Sequence, residues 1–280
     1  MNLPRSKHLY SSLFLLALTS SALANKANVT TPTYQPASGK VYLGVFGGVA
    51  ETSAFNVAQL GTVFTPELNG GPLAVDAFGS ASSRSASLFG VQIGYQIPEI
   101  MLNQQWLLAP AVEIEGLSLA NKTYHANLPN PNSRTIITEQ DFQASYQIKQ
   151  NVFLINTVFN LYHPCWLVQP YVGFGIGGAL VRMSNTYAGQ LNPPELGINH
   201  YNANNNDTNS TFAGQFKAGL SFDINKCITL FAEYRWLYVA NTHFTLGSTA
   251  YPTHVATSDW QIKLDPLRSN IGTVGIKFNL

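Results

Sequence analysis

The charged residues that could perform chemistry lie in stretches where apolar and polar residues alternate along the chain. In each stretch they occupy the polar face, opposite a row of apolar side chains. Buried charges must be paired and hydrogen-bonded, so the presence of both signs predicts a paired network inside the fold. A gated narrow pore or a proton-linked site is the functional alternative for the same residues. The set consists of Glu113, Glu115, Lys217, Asp223, Glu233, Arg235 and Lys277.

One pair of carboxylates in this set has the composition needed for general acid–base catalysis. Glu113 and Glu115 are two positions apart, which makes them neighbours on one face of a strand. No substrate cleft is indicated around them, so we interpret the pair as structural. Arg235 shares their inward parity, and we expect it to pair with Glu113, Glu115 or Glu233.

The histidines fall between the alternating stretches. A barrel enzyme that acts on lipid would need a His and a Ser there, together with an acidic or amide side chain that orients the His. Ser248, Ser258 and Asp259 share one predicted loop with His243 and His254. Every such loop is rich in these residue types, so we expect no catalytic residue among them. The spacing of Cys and His predicts no metal site, and no cofactor is implied. The other histidines outside the leader are His125 and His200 in predicted loops and His163 in a short turn.

Two cysteines lie at predicted turns on the same rim of the fold. Cys165 is in the turn after the fourth predicted strand, and Cys227 is beside the turn after the sixth. The periplasm favours disulfides, so a Cys165–Cys227 bridge is one expectation and two free thiols are the alternative. Cα atoms more than about 7 Å apart could not be bridged.

Eight stretches with a period of two residues predict eight antiparallel strands. In a transmembrane strand every second side chain faces lipid and the others face the lumen. The last stretch is the clearest, because an apolar row from Gly272 to Leu280 opposes a face that carries Lys277. The first stretch is mixed, and its faces are not assigned. The stretches are 40–49, 88–97, 106–115, 153–161, 169–181, 212–224, 228–238 and 272–280.

Aromatic residues and glycines mark particular positions on these strands. Tyr234, Trp236 and Tyr238 cluster toward one end of an apolar face, which predicts part of an interfacial aromatic girdle. A row of inward glycines either leaves space in a narrow barrel or permits strong coiling. These are Gly173, Gly175 and Gly177.

The connections between the strands alternate strictly between short and long. The short ones are 98–104, 163–167 and 225–226. The long ones are 51–83, 117–144, 184–209 and 240–267. Outer-membrane barrels have short periplasmic turns and long extracellular loops, so residues 40–280 are predicted to form an all-β, eight-stranded transmembrane barrel with four long extracellular loops.

The amino end predicts a secretory signal peptide over residues 1–24. Arg5 and Lys7 give a positive start, residues 13–18 form a short apolar run, and residues 22–24 form a small-residue cleavage site. The apolar run is shorter than the about 20 residues that a helix needs to cross a bilayer. Removing the leader would take two basic residues away and change the net charge from +1 to −1. Export through a cleaved leader is therefore expected.

The composition narrows the class of protein further. Charged residues make up only 10% and aromatic residues 12% of the chain, whereas about 25% of residues are charged in ordinary soluble domains. A secreted soluble β-sandwich is the alternative, but it would carry more surface charge. The charge balance predicts no nucleic-acid partner. Residues 25–39, with Pro32 and Pro36, are interpreted as a flexible periplasmic lead-in.

Three short motifs carry a family resemblance. YLGVFGG at 42–48, PYVGFGIGGAL at 170–180 and FAEYRW at 231–236 resemble the opacity-type branch of small eight-stranded outer-membrane barrels, whose architecture the OmpA transmembrane domain shares. The resemblance implies residence in the outer membrane of a Gram-negative bacterium and insertion by the barrel-assembly machinery. Unlike OmpA itself, the chain is expected to have no peptidoglycan-binding domain after the barrel. One departure is the end of the chain, because such barrels usually finish on phenylalanine and here Phe278 is followed by Asn279 and Leu280.

These patterns predict a structural or surface-interaction role of the adhesin or antigen type, carried by the extracellular loops. The bilayer and an extracellular ligand are the expected partners. A small channel or hydrophobic-solute conduit is the alternative, and a lipid-acting enzyme is third. The third long loop is rich in asparagine, which suits either recognition or a passive solvated surface. Its asparagines are Asn199, Asn202, Asn204, Asn205, Asn206 and Asn209.

Overall fold

The computed structural model describes residues 39–67, 70–131 and 141–280. The predicted signal peptide and all of the predicted lead-in except Gly39 lie outside these residues. No helix within the described residues is long and apolar enough to cross a membrane.

The described residues form thirteen strands, all paired antiparallel in one sheet. In chain order the strands are β1 (Lys40–Thr52), β2 (Phe55–Val63), β3 (Leu73–Ala81), β4 (Arg84–Gln96), β5 (Ile100–Met101), β6 (Leu107–Leu128), β7 (Asp141–Tyr162), β8 (Val168–Asn192), β9 (Asp207–Asn225), β10 (Ile228–Val239), β11 (Thr242–Leu246), β12 (Trp260–Leu264) and β13 (Leu267–Asn279).

Eight of these strands close into a barrel, which confirms the predicted fold class. The order around the barrel is β1, β4, β6, β7, β8, β9, β10 and β13. Closure is made by β13 against β1, with Tyr42 opposite Asn279 and Thr52 opposite Ser269. A closed sheet leaves no unpaired edge, so the backbone polar groups within lipid are satisfied by neighbouring strands.

The outward face of the barrel is apolar, as a lipid-facing surface requires. On β1, Val41, Leu43 and Val45 point out and are exposed, while Tyr42 and Phe46 point in and are each 4% exposed. Both faces of this strand therefore carry large apolar groups, which explains why its sequence pattern is mixed. The other strands expose aliphatic and aromatic side chains in the same belt, among them Phe89, Val91, Ile114, Phe153, Ile155, Phe174, Ile176, Leu220, Leu230 and Val274.

Three barrel strands are much longer than a bilayer requires. β6 and β7 have 22 residues each and β8 has 25, whereas a transmembrane strand needs about 9–11. Along β6 the outward side chains change from Val112 and Ile114 to Asn121, Thr123 and His125. The far ends of these strands therefore stand in water. The sequence analysis did not predict these far ends, because β-bulges interrupt the alternation near residues 119–122 of β6 and 145–147 of β7.

Two of the long connections contain further strands, where the sequence analysis expected loops. β2 and β3 form a hairpin in the first connection, and β11 and β12 form another in the fourth. These strands join in the order β11, β12, β2 and β3, and β3 pairs with the far end of β6. We call these four strands, together with residues 193–206 and 247–259, the crown. The crown continues the sheet beyond the long-loop end of the barrel.

The crown has an apolar core of its own. Trp260, Phe142, Tyr201 and Phe244 are buried there, and Phe142 and Trp260 meet edge to face with ring centroids 5.8 Å apart. Burial of large aromatic side chains is the main source of stability in such a core. The long-loop end of the barrel therefore continues into a packed body.

Candidate functional site

Six of the seven predicted inward charges meet in the barrel lumen. They come from β6, β9, β10 and β13, and each occupies an inward position of its strand. Three are carboxylates and three are cations, so the group is balanced when all are ionised. The carboxylates are Glu113, Glu115 and Glu233, and the cations are Lys217, Arg235 and Lys277.

Glu113 gathers donors from three different strands. Its Oε2 forms an ion pair with Lys217. Its Oε1 lies 3.4 Å from Lys277 Nζ and accepts a hydrogen bond of 2.6 Å from the Tyr42 hydroxyl. Tyr42 comes from β1, the strand whose faces the sequence left unassigned. Its inward orientation is thus explained by a polar partner as well as by packing.

Arg235 joins the other two carboxylates. Its guanidinium forms ion pairs with Glu115 and Glu233, and its Nε donates to Glu233 Oε1 at 2.7 Å. The guanidinium carbon also lies 4.0 Å from the centroid of the Phe46 ring, within the range of a cation–π interaction. Arg235 thus contacts two of the three carboxylates considered for it, Glu115 and Glu233, and not Glu113.

Neutral side chains complete the hydrogen bonding of this group. The Tyr171 hydroxyl donates to Glu233 Oε2 at 2.8 Å, and Thr273 Oγ1 donates to Glu233 Oε1 at 3.2 Å. Gln215 Nε2 donates to Glu115 Oε1 at 3.1 Å, and Asn156 Nδ2 donates to Glu115 Oε2 at 3.3 Å. Ions taken out of water are tolerated only when their remaining hydrogen-bonding positions are filled in this way.

Asp223 does not belong to the group, although its parity suggested that it would. It is exposed at the short-turn end of the barrel. There it accepts hydrogen bonds from Gln169 Nε2 at 3.1 Å and from Thr229 Oγ1. Parity gives the face of a strand but not the depth along the barrel, which is why the sequence grouped Asp223 with the others.

The inward glycines leave space that other lumen side chains occupy. A Cβ on Gly173 would lie 3.1 Å from Lys217 Cε, and one on Gly175 would lie 1.8 Å from Asn156 Oδ1. Gly177 is exposed, and a Cβ there would lie 2.0 Å from the Phe153 carbonyl oxygen. The glycines therefore admit the polar network and close strand packing, and they do not outline an open channel.

Tyr234, Trp236 and Tyr238 lie on the outward face of β10. Trp236 and Tyr238 stack with ring centroids 6.1 Å apart, and the Tyr234 hydroxyl donates to Asn270 Oδ1 at 2.6 Å. A second aromatic cluster, which the sequence analysis missed, lies at the short-turn end, where Trp106 and Trp166 meet at 5.0 Å. Trp166 comes from a turn, so period-two alternation gave no signal for it. Both clusters have the amphipathic character of interfacial residues.

The disulfide considered between Cys165 and Cys227 is not formed. Both thiols are free and exposed. Cys165 lies in the turn from β7 to β8, and Cys227 lies in the turn from β9 to β10. Adjacent hairpin turns are two strand spacings apart, roughly 10 Å, and Cα atoms that far apart cannot be bridged. Both turns lie on the same rim of the barrel, but two strand spacings separate them.

The asparagine-rich connection is an ordered part of the crown. Asn199 Oδ1 accepts hydrogen bonds from the backbone nitrogens of Ala188 and Tyr201, at 3.1 and 3.2 Å. Asn202 pairs twice with Ala250 of the neighbouring connection, accepting at 2.7 Å and donating at 2.9 Å. The side chain of Asn199 therefore satisfies backbone groups in a segment that has no strand partner. Asn202 binds residues 193–206 to residues 247–259.

The loop histidines and serines have separate surroundings. Ser258 Oγ accepts from the Thr62 nitrogen at 2.9 Å and donates to the Asp259 carbonyl at 3.0 Å. His243 is exposed on β11. His254 instead faces Glu195. Ser258 and His254 are therefore engaged in contacts with other residues.

One cluster of ionisable side chains in the crown had no signal in the sequence. Glu195 lies between His200 and His254. These residues come from two different connections, so no spacing rule joins them. Only the folded crown brings them together.

The comparison with family models decides where this chain belongs. The model described as Surface antigen matches residues 120–280, more than half of the 280 residues. The chain belongs to the surface antigen family. The match runs from the far part of β6 to the end of β13, so it includes most of the lumen network and β11 and β12 of the crown. No curated protein matches the sequence.

Several solved structures have a similar fold. Neisserial surface protein A is 12% identical, with 85% of this chain and 96% of that chain covered and a TM-score of 0.40. The outer-membrane protein OprG from Pseudomonas aeruginosa is 12% identical, with 86% and 97% covered and a TM-score of 0.44. The attachment invasion locus protein Ail of Yersinia pestis is 9% identical, with 84% and 98% covered and a TM-score of 0.28.

This surface antigen family member is an outer-membrane barrel of a Gram-negative bacterium, embedded in the bilayer through its apolar belt. The short turns of such a barrel face the periplasm, and the long connections face the cell exterior. The crown is therefore the extracellular part of the protein, and the charged network lies within the barrel below it.

Proposed function

We propose that the barrel is a rigid membrane anchor and that the crown is a preformed surface for recognition outside the cell. The observation that carries this proposal is the hydrogen bonding between residues 193–206 and 247–259. Besides the Asn202 pair, the Ala203 nitrogen donates to the Ser248 carbonyl at 3.3 Å and the Gly247 nitrogen donates to the Asn204 carbonyl at 2.8 Å. A surface that is already ordered loses less entropy when it binds a partner.

The filled lumen supports this role over that of a channel. An eight-stranded barrel has an interior just wide enough for side chains. Here Arg235 and Lys217 are among the largest fully buried side chains, and they occupy that interior with their carboxylate partners. A solute would have to displace paired charges in order to pass.

We assign the contact surface to an apolar patch formed by Phe64, Leu196 and Val255. Leu196 is 96% exposed and Phe64 is 50% exposed. The Phe64 nitrogen donates to the Ala256 carbonyl at 2.8 Å, and Glu195, next to Leu196, contacts His254. These links between neighbouring residues support grouping the three side chains in one patch. Exposed apolar groups with a polar rim are typical of protein interaction sites.

The test is attachment of a non-adherent Gram-negative laboratory strain that displays this chain to cultured epithelial cells. We expect display to raise attachment, and we expect the Phe64→Ser, Leu196→Ser double variant to lose most of that gain. Phe78→Ser is the matched control, because Phe78 is 50% exposed on the crown strand β3. Equal attachment with and without the chain, or equal loss in the control, would count against the proposal.

Insertion by the barrel-assembly machinery, after export by the predicted signal peptide, is the route we propose for the chain. The support is the closed barrel with its C-terminal strand β13 paired on both sides. Depleting the assembly machinery should leave the chain in the periplasm, and fractionation of the cell envelope measures this.

A further inference from the structure

Three side chains of the crown direct potential metal ligands at one point. Glu195 Oε2 lies 3.3 Å from His200 Nε2 and 3.2 Å from His254 Nε2. The three atoms all lie within 4.8 Å of one another. Glu195 and His200 belong to the connection from β8 to β9, and His254 belongs to the connection from β11 to β12.

The hydrogen bonds of the two imidazole rings define which nitrogen is free. His200 Nδ1 lies 3.0 Å from the Ala188 carbonyl oxygen, and His254 Nδ1 lies 2.6 Å from the Val255 carbonyl oxygen. A carbonyl can only accept, so each Nδ1 carries the hydrogen. In a neutral ring the Nε2 atom then presents a lone pair. A backbone carbonyl that fixes the other nitrogen is the usual support of a metal-binding histidine.

The surroundings of His200 favour its neutral ring. His200 is 2% exposed and packs edge to face on Phe142, with ring centroids 5.0 Å apart. This burial lowers the pKa of His200 and disfavours its cation. Glu195 Oε2 is buried and has no hydrogen-bond donor. When both rings are neutral, three lone pairs converge, which is an unfavourable arrangement unless a cation is shared.

The backbone holds the ligands in place from several directions. The His200 nitrogen donates to the Ala188 carbonyl at 2.9 Å, and its carbonyl accepts from Thr249 Oγ1 at 3.1 Å. Trp260 Nε1 donates to the same Thr249 hydroxyl at 3.3 Å. His200 is thus attached to the buried core of the crown before any ion binds.

We propose that Glu195, His200 and His254 bind a single divalent transition-metal ion, with Zn²⁺ the best fit. Two imidazole nitrogens and one carboxylate oxygen form a set that zinc prefers, whereas Ca²⁺ and Mg²⁺ prefer oxygen alone. Ligands about 2.0–2.1 Å from a tetrahedral centre are roughly 3.3 Å from each other. The two distances from Glu195 Oε2, 3.3 and 3.2 Å, match this edge, and the third edge, between the two histidine nitrogens, is no longer than 4.8 Å.

The bound ion would fasten the two extracellular connections to each other. It has three protein ligands, which leaves the fourth tetrahedral position for water or an outside group. Glu195 is partly exposed, with 33% of its side-chain surface accessible, so the site lies near the surface of the crown. The consequence is a crown whose stability depends on zinc.

The experiment measures metal binding to the untagged chain, purified from outer membranes in detergent and stripped with a chelator. Zn²⁺ is titrated against a chromophoric zinc chelator, and Co²⁺ is added separately to record its visible absorption. We expect one Zn²⁺ per chain and a Co²⁺ spectrum of tetrahedral intensity. Slower proteolysis of residues 193–206 in the presence of Zn²⁺ is the structural readout.

The variants separate this site from adventitious binding. His254→Ala and Glu195→Gln should each weaken Zn²⁺ binding at least about tenfold and abolish the protection from proteolysis. His125→Ala, which removes an exposed histidine of β6, should change neither. Retention of heat-modifiable gel mobility checks that each barrel is folded. Absence of stoichiometric binding, or affinity unchanged in His254→Ala and Glu195→Gln, would overturn the proposal.

Discussion

Arg235 and Lys217 occupy directly opposed positions on β10 and β9, although both carry a positive charge. Like charges opposite each other destabilise a pair of strands. Here Glu115 lies between them, with one carboxylate oxygen paired to Arg235 and the other 3.4 Å from Lys217 Nζ. The carboxylate on β6 thus makes the pairing of β9 and β10 possible across the lumen.

Glu115→Gln should therefore destabilise the barrel strongly. The variant leaves two buried cations with one carboxylate fewer, and breaking a buried pair costs about 3–5 kcal/mol. Denaturant unfolding in detergent or lipid vesicles measures the change in the free energy of unfolding. Asp223→Asn is the matched control and should cost less than about 1 kcal/mol, because Asp223 is exposed at the periplasmic mouth. Equal effects of the two variants would show that the lumen network contributes no stability.

Arg235→Ala should open the lumen as well as weaken the barrel. The arginine is one of the largest fully buried side chains, and its removal leaves a cavity beside unpaired carboxylates. We expect a lower temperature for the heat-induced gel shift and a higher conductance in planar bilayers. Arg182→Ala, which removes an exposed arginine of β8, should alter neither. If conductance and thermal stability are both unchanged in Arg235→Ala, the arginine does not close the lumen.

The barrel strands were predictable from the sequence, because lipid requires every second side chain of each strand to be apolar. The strands of the crown do not face lipid, so the sequence did not predict them. Outward residues such as Phe174 and Ile176 had to be apolar, so the period of two was visible. Tyr42 and Phe46 hid the pattern of β1, since they are apolar residues that point inward.

The crown follows the rules of a soluble domain. Many of its outward residues are polar and its strands are short, and bulges shift the parity of the adjoining strands β6 and β7. The cluster of Glu195, His200 and His254 depends on contact between two connections, which Asn202, Thr249 and backbone hydrogen bonds establish. A single sequence contains no local pattern for such a contact.

Both cysteines should react with a thiol reagent in the folded protein without any reductant. Cys165 and Cys227 are exposed in separate periplasmic turns, so access and distance both favour free thiols. Mass spectrometry after maleimide treatment should show two labels per chain. Gel mobility of the denatured protein should be the same with and without reductant. A single label or none, restored to two by reductant, would indicate a bond that the strand spacing argues against.

The crown of the metal-free protein should lose stability as the pH falls below about 6.5. Burial keeps the pKa of His200 below the usual value of an unfolded histidine, near 6.5. Between the two pKa values the unfolded segment binds a proton that the folded one does not, so acid favours opening. Two titratable groups face this ring, and they act in opposite directions. Glu195 favours the cation and His254 disfavours it, but desolvation is the larger effect.

Hydrogen exchange of residues 193–206 tests this pH dependence in the presence of a chelator. Rates at about pH 5 and about pH 7.5, each corrected by an unstructured peptide of the same sequence, should show weaker protection at the lower pH. His200→Gln should flatten the dependence, because the titrating ring is gone. His243→Gln should retain it, since His243 is exposed on β11. Protection that rises as the pH falls would mean that the ion pair with Glu195 outweighs desolvation, and that His200 is charged in the folded crown.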